Sequence, residues 1–281
     1  MGTTERIKGQ SKVDHLRTQV LYNQVRVKTS KAGGSGTVIY SALGEDSKQY
    51  NTYVLTCHHV VSDAISIKSA WDSRIGRDRK QELRQLVTVE FFNYLNVPHG
   101  YRPVSSSVDA EIVAYDDRHD MALLHLRTIQ QAEHVAQMLK PADVEVLQVG
   151  MPLVAVGAAL LHDPIVTQGH LTHMGDEIDH ALYMMSSAQI IFGNSGGAMF
   201  GEVDDVYQYV GIPSRIDIAG WSSPVTHLGY FSPAVRIHEF LQEQLYCFLI
   251  PGHEHTGAHC ATERKERKER EERRLQMTGP E

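Results

Sequence analysis

The chain has 281 residues, 42% of them hydrophobic and 22% charged, and a net charge of −7. That length supports a full hydrophobic core in one large or two small domains, and the balance is that of a globular chain rather than a disordered one. The negative charge gives no general affinity for nucleic acid or anionic membranes, and no apolar run reaches the length of a membrane span, so neither partner is expected.

Residues 1–22 read as an N-terminal arm. The opening "MGTTERIKGQSKVDHL" has no apolar core and no small-residue cleavage site, so it is not a secretory signal and a cytoplasmic location is expected. Strands are expected at 24–30, 36–42, 52–57, 86–92, 110–116 and 122–126 in the first half. The second half offers 152–158, 165–174, 181–188, 196–200, 207–216 and 229–233. Many of these mix β-branched and aromatic residues at period two between Gly, Pro, Asn and Asp. About a dozen short strands at this spacing imply an all-β-dominated sandwich or barrel. The polar, irregular segment 66–107 reads as an insertion around one or two strands.

Helical composition marks 78–86 and 127–139, but the strongest helix is 232–249. It opens Ser232-Pro233, which suits an N-cap followed by proline at the first helical position. Ala234, Ile237, Phe240, Leu241, Leu245 and Phe248 then recur at three- and four-residue steps. Residues 248–281 read as a tail. Within it, Glu263 to Arg274 is a run of twelve charged residues, seven basic and five acidic. Glu–Arg and Glu–Lys pairs allow an isolated helix, but it has no apolar stripe with which to dock; its mixed signs suit a solvated tail, with a nucleic-acid- or partner-binding arm, or self-assembly, as the other reading. Three cysteines, Cys57, Cys247 and Cys260, are too few and too odd in number for a disulfide framework and agree with a reducing compartment. His255 and His259 are four apart beside Cys260 but lack the His-Glu-x-x-His spacing. They are read as structural or incidental, with no metal and no cofactor assigned.

The chemistry concentrates in three segments. "IIFGNSGGAMF" (190–200) sets Ser195 among glycines. A serine hydroxyl needs a base to take its proton and donors to hold the oxyanion it creates. "YVLTCHHVVSDA" (53–64) offers His58 and His59 where a strand ends. "YDDRHDMALLHL" (115–126) offers Asp116, Asp117 and Asp120, of which only Asp120 directly precedes the apolar run. Asp116 and Asp117 suit turn chemistry. A one-residue shift near a strand end reverses the side chain's face, so His58 and His59 are alternatives of which one faces the serine.

Thr56-Cys57-His58-His59-Val60-Val61, Asp120-Met121-Ala122-Leu123-Leu124 and Gly193-Asn194-Ser195-Gly196-Gly197 occur in one order. In them the chain resembles the trypsin-like (chymotrypsin-fold) serine proteases, and most closely the HtrA/Deg group. "GGSGTVIY" (33–40), "VTQGHLT" (166–172), "VGIPSRI" (210–216) and "GYFSP" (229–233) add weaker matches in sequence order. The resemblance implies two antiparallel β-barrels, about 23–140 and 141–231, followed by a helix over 232–247. It implies a His59–Asp120–Ser195 triad, an oxyanion hole from the N–H groups of Gly193 and Ser195, and a serine endopeptidase acting on protein or peptide substrates through an acyl-enzyme. By the same resemblance Gln189, at the base of the S1 pocket, carries no charge to attract Arg or Lys. Gly229 leaves depth there, Ile190 and Ile212 supply apolar wall, and Gly211, in the segment flanking the pocket, is a further substrate-binding residue. A medium-sized uncharged P1 residue is expected. Phe192 stands where the family often has proline, which implies a differently shaped hole or one that forms on substrate binding. No PDZ module is expected after the protease domain. A protease-fold scaffold without turnover and a viral or phage processing protease are the alternative readings, and a homo-oligomer is left open.

Overall fold

In the computed structural model, residues 12–44, 48–72, 77–97, 100–220 and 223–277 are described. A helical turn ending in the π-helical stretch Arg17–Leu21 leads into the first barrel. Its strands are β1 (Gln24–Lys28), β2 (Gly33–Leu43), β3 (Tyr50–Thr56), β6 (Val87–Val97), β7 (Gly100–Asp116) and β8 (Met121–Thr128). They close antiparallel in the order β1-β2-β3-β8-β7-β6. The second barrel takes β9 (Pro152–Gly157), β10 (Ile165–Ile178), β11 (Ala181–Ser186), β12 (Ala198–Val203), β13 (Val206–Ala219) and β14 (Ser223–Pro233). It closes in the order β10-β11-β14-β13-β12-β9. The fold is therefore the two-barrel, chymotrypsin-like one, with a helix (Ala234–Glu243) after the last strand.

The barrels form because alternate side chains point inward and closure removes the sheet edges. Val54, Leu55, Leu123 and Leu124 are fully buried in the first barrel, while Ala155, Met199, Val210 and Phe231 are buried in the second. One apolar cluster runs on through Val156, Phe200, Tyr209 and Ile237, so the core crosses the junction between barrels.

Three expectations are corrected. Residues 78–86 are not helical: β5 (Arg77–Arg84) pairs with β4 (Ile65–Asp72) as a separate hairpin. Helix propensity is a weak prior, and here side-chain bonds to β7 outweigh it. Arg84 Nη1 donates to the Ile112 carbonyl at 2.8 Å, and Tyr115 Oη donates to Glu82 at 2.7 Å.

The helix expected over 127–139 is absent: 127–128 end β8, and 129–139 form an irregular link whose backbone bonds both barrels. Ala136 N–H donates to Val38 O, Leu139 N–H to Tyr209 O, and Tyr209 N–H to Gln137 O.

Ser232 and Pro233 finish β14 instead of capping and opening a helix. Pro233 is the extended residue before Ala234, and no side chain caps the helix. The charged run belongs to the helix Gly257–Met277. Its early turns are tied to the body, with Arg264 donating to Leu245 O and Arg267 donating to Glu243 O.

Candidate active site

The first barrel delivers His59 and Asp120. Strand β3 ends at Thr56, Cys57 is extended, and the chain turns into the short helix His58–Val61. A helical step of about 100° sends adjacent side chains to different surroundings, so the distinction between the two histidines comes from a helix and not from strand alternation. His58 stacks on Tyr115, with ring centroids 5.1 Å apart. His59 Nδ1 lies 2.7 Å from Asp120 Oδ2, and its side chain is 50% exposed.

Asp120 sits in a left-handed conformation, φ 55°, at the end of a turn before β8. Asp116 builds that turn. Its carboxylate accepts the N–H groups of Arg118 and His119 and pairs with the His119 ring. Asp120 is buried and accepts three groups. Besides the ring of His59, these are the backbone N–H of His59 at 2.9 Å and the hydroxyl of Ser214. Burial pushes its pKa up, but the hydrogen bond and charge of His59, with the Ser214 hydroxyl, outweigh burial and hold it below the ordinary value.

The second barrel delivers Ser195. The loop between β11 and β12 is braced by its own backbone and by the opposite barrel. Asn194 is buried and accepts the N–H of Ile191 through Oδ1 at 3.0 Å. Ser35, fully buried in β2, links three groups. Its N–H donates to Ser195 O at 2.9 Å, its hydroxyl donates to Gly193 O at 2.6 Å, and the hydroxyl oxygen accepts the N–H of Ala158 at 2.7 Å. Gly196 donates to Pro213 O and adopts φ +83°; a Cβ there would lie 2.3 Å from Thr56 Oγ1 and 2.4 Å from Ser35 O. No other residue fits that position.

The Phe192 carbonyl accepts the N–H of Leu160 at 2.7 Å. In a trans peptide the N–H points opposite the C=O, so the Gly193 N–H faces away from Leu160. Among the described residues, neither the N–H of Gly193 nor that of Ser195 donates to a protein acceptor.

Both halves open on one groove of about 460 Å³, lined by His59, Ser195, Asn194, Ser214 and Arg215, with Ile190, Phe192, Ile216 and Ile218 among its apolar wall. Among the described residues no hydrogen bond joins Ser195 Oγ to His59. Of the residues expected to shape S1, Ile190 lines the groove. Gly229 lies against it: a Cβ there would be 2.1 Å from Ile190 Cδ1, so Ile190 fills the depth the glycine leaves.

Gln189, Gly211 and Ile212 are not among the lining residues. Gln189 is exposed, and its backbone carbonyl accepts the Thr167 hydroxyl. Gly211 packs on Phe231, and Ile212 is fully buried in the core. Sequence reasoning missed Ser214 and Ser35 as individual residues; their only signal was their place in "VGIPSRI" and "GGSG". Cys57, beside the histidines, is fully buried, and burial, then the Asp120 charge, pushes its thiol well above the ordinary range.

Residues 34–212 match the trypsin-like peptidase domain, and the chain belongs to that family of proteases. Its fold is shared by HtrA-type proteases. Deg5 is similar at a TM-score of 0.55 and 18% identity, over 83% of this chain and 93% of Deg5. The HtrA-type protease AlgW with tripeptide is similar at 0.55 and 18%, over 83% of this chain and 63% of AlgW. An AlgW variant with tripeptide gives 0.55 and 19%, over 82% and 62%. The chain thus spans about three fifths of the AlgW chains. No curated protein matches it significantly in sequence. Among the described residues no helix is long and apolar enough to cross a membrane.

Proposed function

We propose that the chain is a serine endopeptidase in which Ser195 is the nucleophile, His59 the general base and Asp120 its orienting carboxylate. The observation that carries this reading is the buried, three-fold-bonded Asp120 behind a half-exposed His59 that opens on the same groove as Ser195. Asp120 favours the Nδ1–H tautomer, leaving the Nε2 lone pair to take the Ser195 proton and later return it to the leaving amine. Substrate binding brings that nitrogen and the hydroxyl into hydrogen-bond reach, as catalytic contacts commonly tighten only in the complex. The Gly193 and Ser195 N–H groups would receive the oxyanion.

The substrate is a protein or peptide chain lying along the groove edge near β13. Ile190 narrows the pocket beneath Gly229, which fits a small-to-medium uncharged P1 side chain. Cleavage profiling against a peptide library tests this, and dominance of Arg or Lys at P1 overturns it.

A fluorophosphonate probe tests the activity itself. The expected outcome is stoichiometric modification of Ser195 in the folded chain and none in Ser195→Ala. The second reading, a protease-fold scaffold without turnover, draws on the missing Ser195–His59 hydrogen bond. It prevails if the folded chain stays unmodified both alone and with candidate peptides present.

A further inference from the structure

A second cluster of chemically capable side chains lies outside the groove, where the chain leaves the second barrel. Cys247 opens a turn (Cys247–Leu249), and Cys260 sits in the first turns of the helix Gly257–Met277. His255 lies in the link between them. Cys247 and Cys260 are both buried, with free thiols. Cys247 Sγ lies 3.0 Å from Cys260 Sγ and 3.7 Å from His255 Nδ1. The three donor atoms fall within 4.8 Å of one another. Two further imidazoles flank them, His259 with its ring centroid 4.3 Å and His253 with its centroid 4.9 Å from that of His255. In sequence alone His255, His259 and Cys260 looked incidental, because the fold supplies the missing ligand, Cys247, from the far side of a loop.

We propose that Cys247, Cys260 and His255 bind a structural zinc ion, with His259 or His253 completing a tetrahedral two-thiolate, two-imidazole site.

The donor set selects the metal. Two thiolates with imidazole nitrogen suit Zn²⁺ and exclude the hard, oxygen-seeking cations. On a tetrahedral ion with Zn–S near 2.3 Å and Zn–N near 2.05 Å, sulfur and nitrogen ligands stand about 3.6 Å apart and two sulfurs about 3.8 Å. The Cys247–His255 separation already matches, and the two sulfurs need to open by less than an ångström. A disulfide would require the sulfurs to close to about 2.0 Å and would leave the histidine without a role.

Charge balance points the same way. Binding displaces two thiol protons to solvent, and Zn²⁺ with two thiolates and neutral imidazoles is a neutral unit, which a buried position tolerates.

The site also explains how a helix with so little apolar surface is held. Phe248, just after Cys247, packs edge-on against Tyr40 and Tyr53 of the first barrel at 5.6 Å each. Arg264 lies 3.9 Å above the Tyr246 ring. An ion joining Cys247 to Cys260 would clamp the start of the helix to that aromatic patch, outside the groove lined by Ser195.

The test uses the full chain purified under reducing conditions. Metal analysis should find one zinc per chain in the wild type and in Ser195→Ala, and none in Cys260→Ser. His255→Gln, at an exposed position, should bind at least tenfold more weakly. Replacing zinc by cobalt should give a thiolate-to-metal charge-transfer band that Cys260→Ser lacks. Should Cys260→Ser fail to fold, chelation and readdition of metal to the wild type decides, because alkylating both thiols of the apo chain must abolish the cobalt band. A folded, reduced wild type that takes up no zinc overturns the proposal. So does equal zinc in the Cys247→Ser/Cys260→Ser double variant, or a Cys247–Cys260 disulfide as the resting form. Probe labelling of Ser195 is read separately, so failure of the zinc site and failure of the protease reading stay distinct.

Discussion

The two halves of the groove are held by different kinds of interaction. On the His59–Asp120 side, the restraint is side-chain hydrogen bonding: one buried carboxylate accepts a ring N–H, a backbone N–H and the Ser214 hydroxyl. On the Ser195 side, the restraint is backbone conformation: glycines at positive φ, carbonyls docked on Leu160 and Ser35, and an asparagine folded onto its own loop. A proton carrier needs its tautomer and ring plane fixed, which only a polar partner can do. An anion cradle needs N–H groups aimed inward, which only backbone geometry can do. Apart from Ser195 itself, side-chain deletions should therefore act sharply on the first half and, on the second, only where a side chain braces the backbone.

On the proposed mechanism, the largest expected effect is loss of the proposed nucleophile or base. Ser195→Ala or His59→Ala should each lower kcat by about 10⁵–10⁶-fold, and combining them should cost little more, because the two act as a unit. Additive losses measured with a fluorogenic peptide would separate the halves and break the comparison. Next comes Asp120→Asn, with about a 10⁴-fold drop in kcat and little change in KM, since the amide favours the wrong tautomer.

Ser35→Ala sharpens the contrast. It touches no reacting atom, yet it strips partners from the Gly193 carbonyl and the Ala158 N–H. It should cost about 1–3 kcal/mol of stability and lower kcat by up to about 10²-fold, within the range of losing one oxyanion donor. A shifted Tm with kcat intact would make Ser35 a stabilising residue only.

The smallest effect is on the acid limb of stability. Asp120 and Glu90 are both held below the ordinary carboxylate value, against burial, by His59 and Ser214 in one case and by Lys28 and Arg26 in the other. Such groups stabilise the fold above the unfolded pKa, near 4, and stop doing so as pH falls through their depressed folded values. Tm should hold from neutral pH to about 4 and decline below it. Asp120→Asn with Glu90→Gln should flatten that decline, and an unaltered acid limb would remove these two groups as its cause.

How far the sequence was legible depends on whether the signal is local. The alternation in "TYVLTC", "ALLHL" and "PLVAVGA" records inward and outward faces directly, and those segments are β3, β8 and β9. The segment "DRKQELRQL" has helix-forming residues and no inward face, so only its pairing with β4 and its bonds to β7 make it a strand. Residues 129–139 are not helical because their backbone groups bond one barrel at Val38 and the other at Tyr209. At the site, the order of the three motifs singled out His59, Asp120 and Ser195. Ser214 and Ser35 are small polar residues in apolar runs, and nothing local separates them from ordinary strand serines. Gln189 and Ile212, assigned to the pocket by position, lie outside its lining because one faces solvent and the other the core.

By itself the amino-acid sequence determined the strand-rich character, the chain order of histidine, aspartate and serine, and the glycines that permit a tight turn at Ser195, because each follows from residue types at fixed short spacings. Only the tertiary structure decided that Ser214 and Ser35 brace the two halves of the groove, how much room Ile190 leaves beneath Gly229, and that Cys247 meets His255 and Cys260. These depend on closing two barrels and folding a tail back onto one of them, contacts whose partners are far apart along the chain.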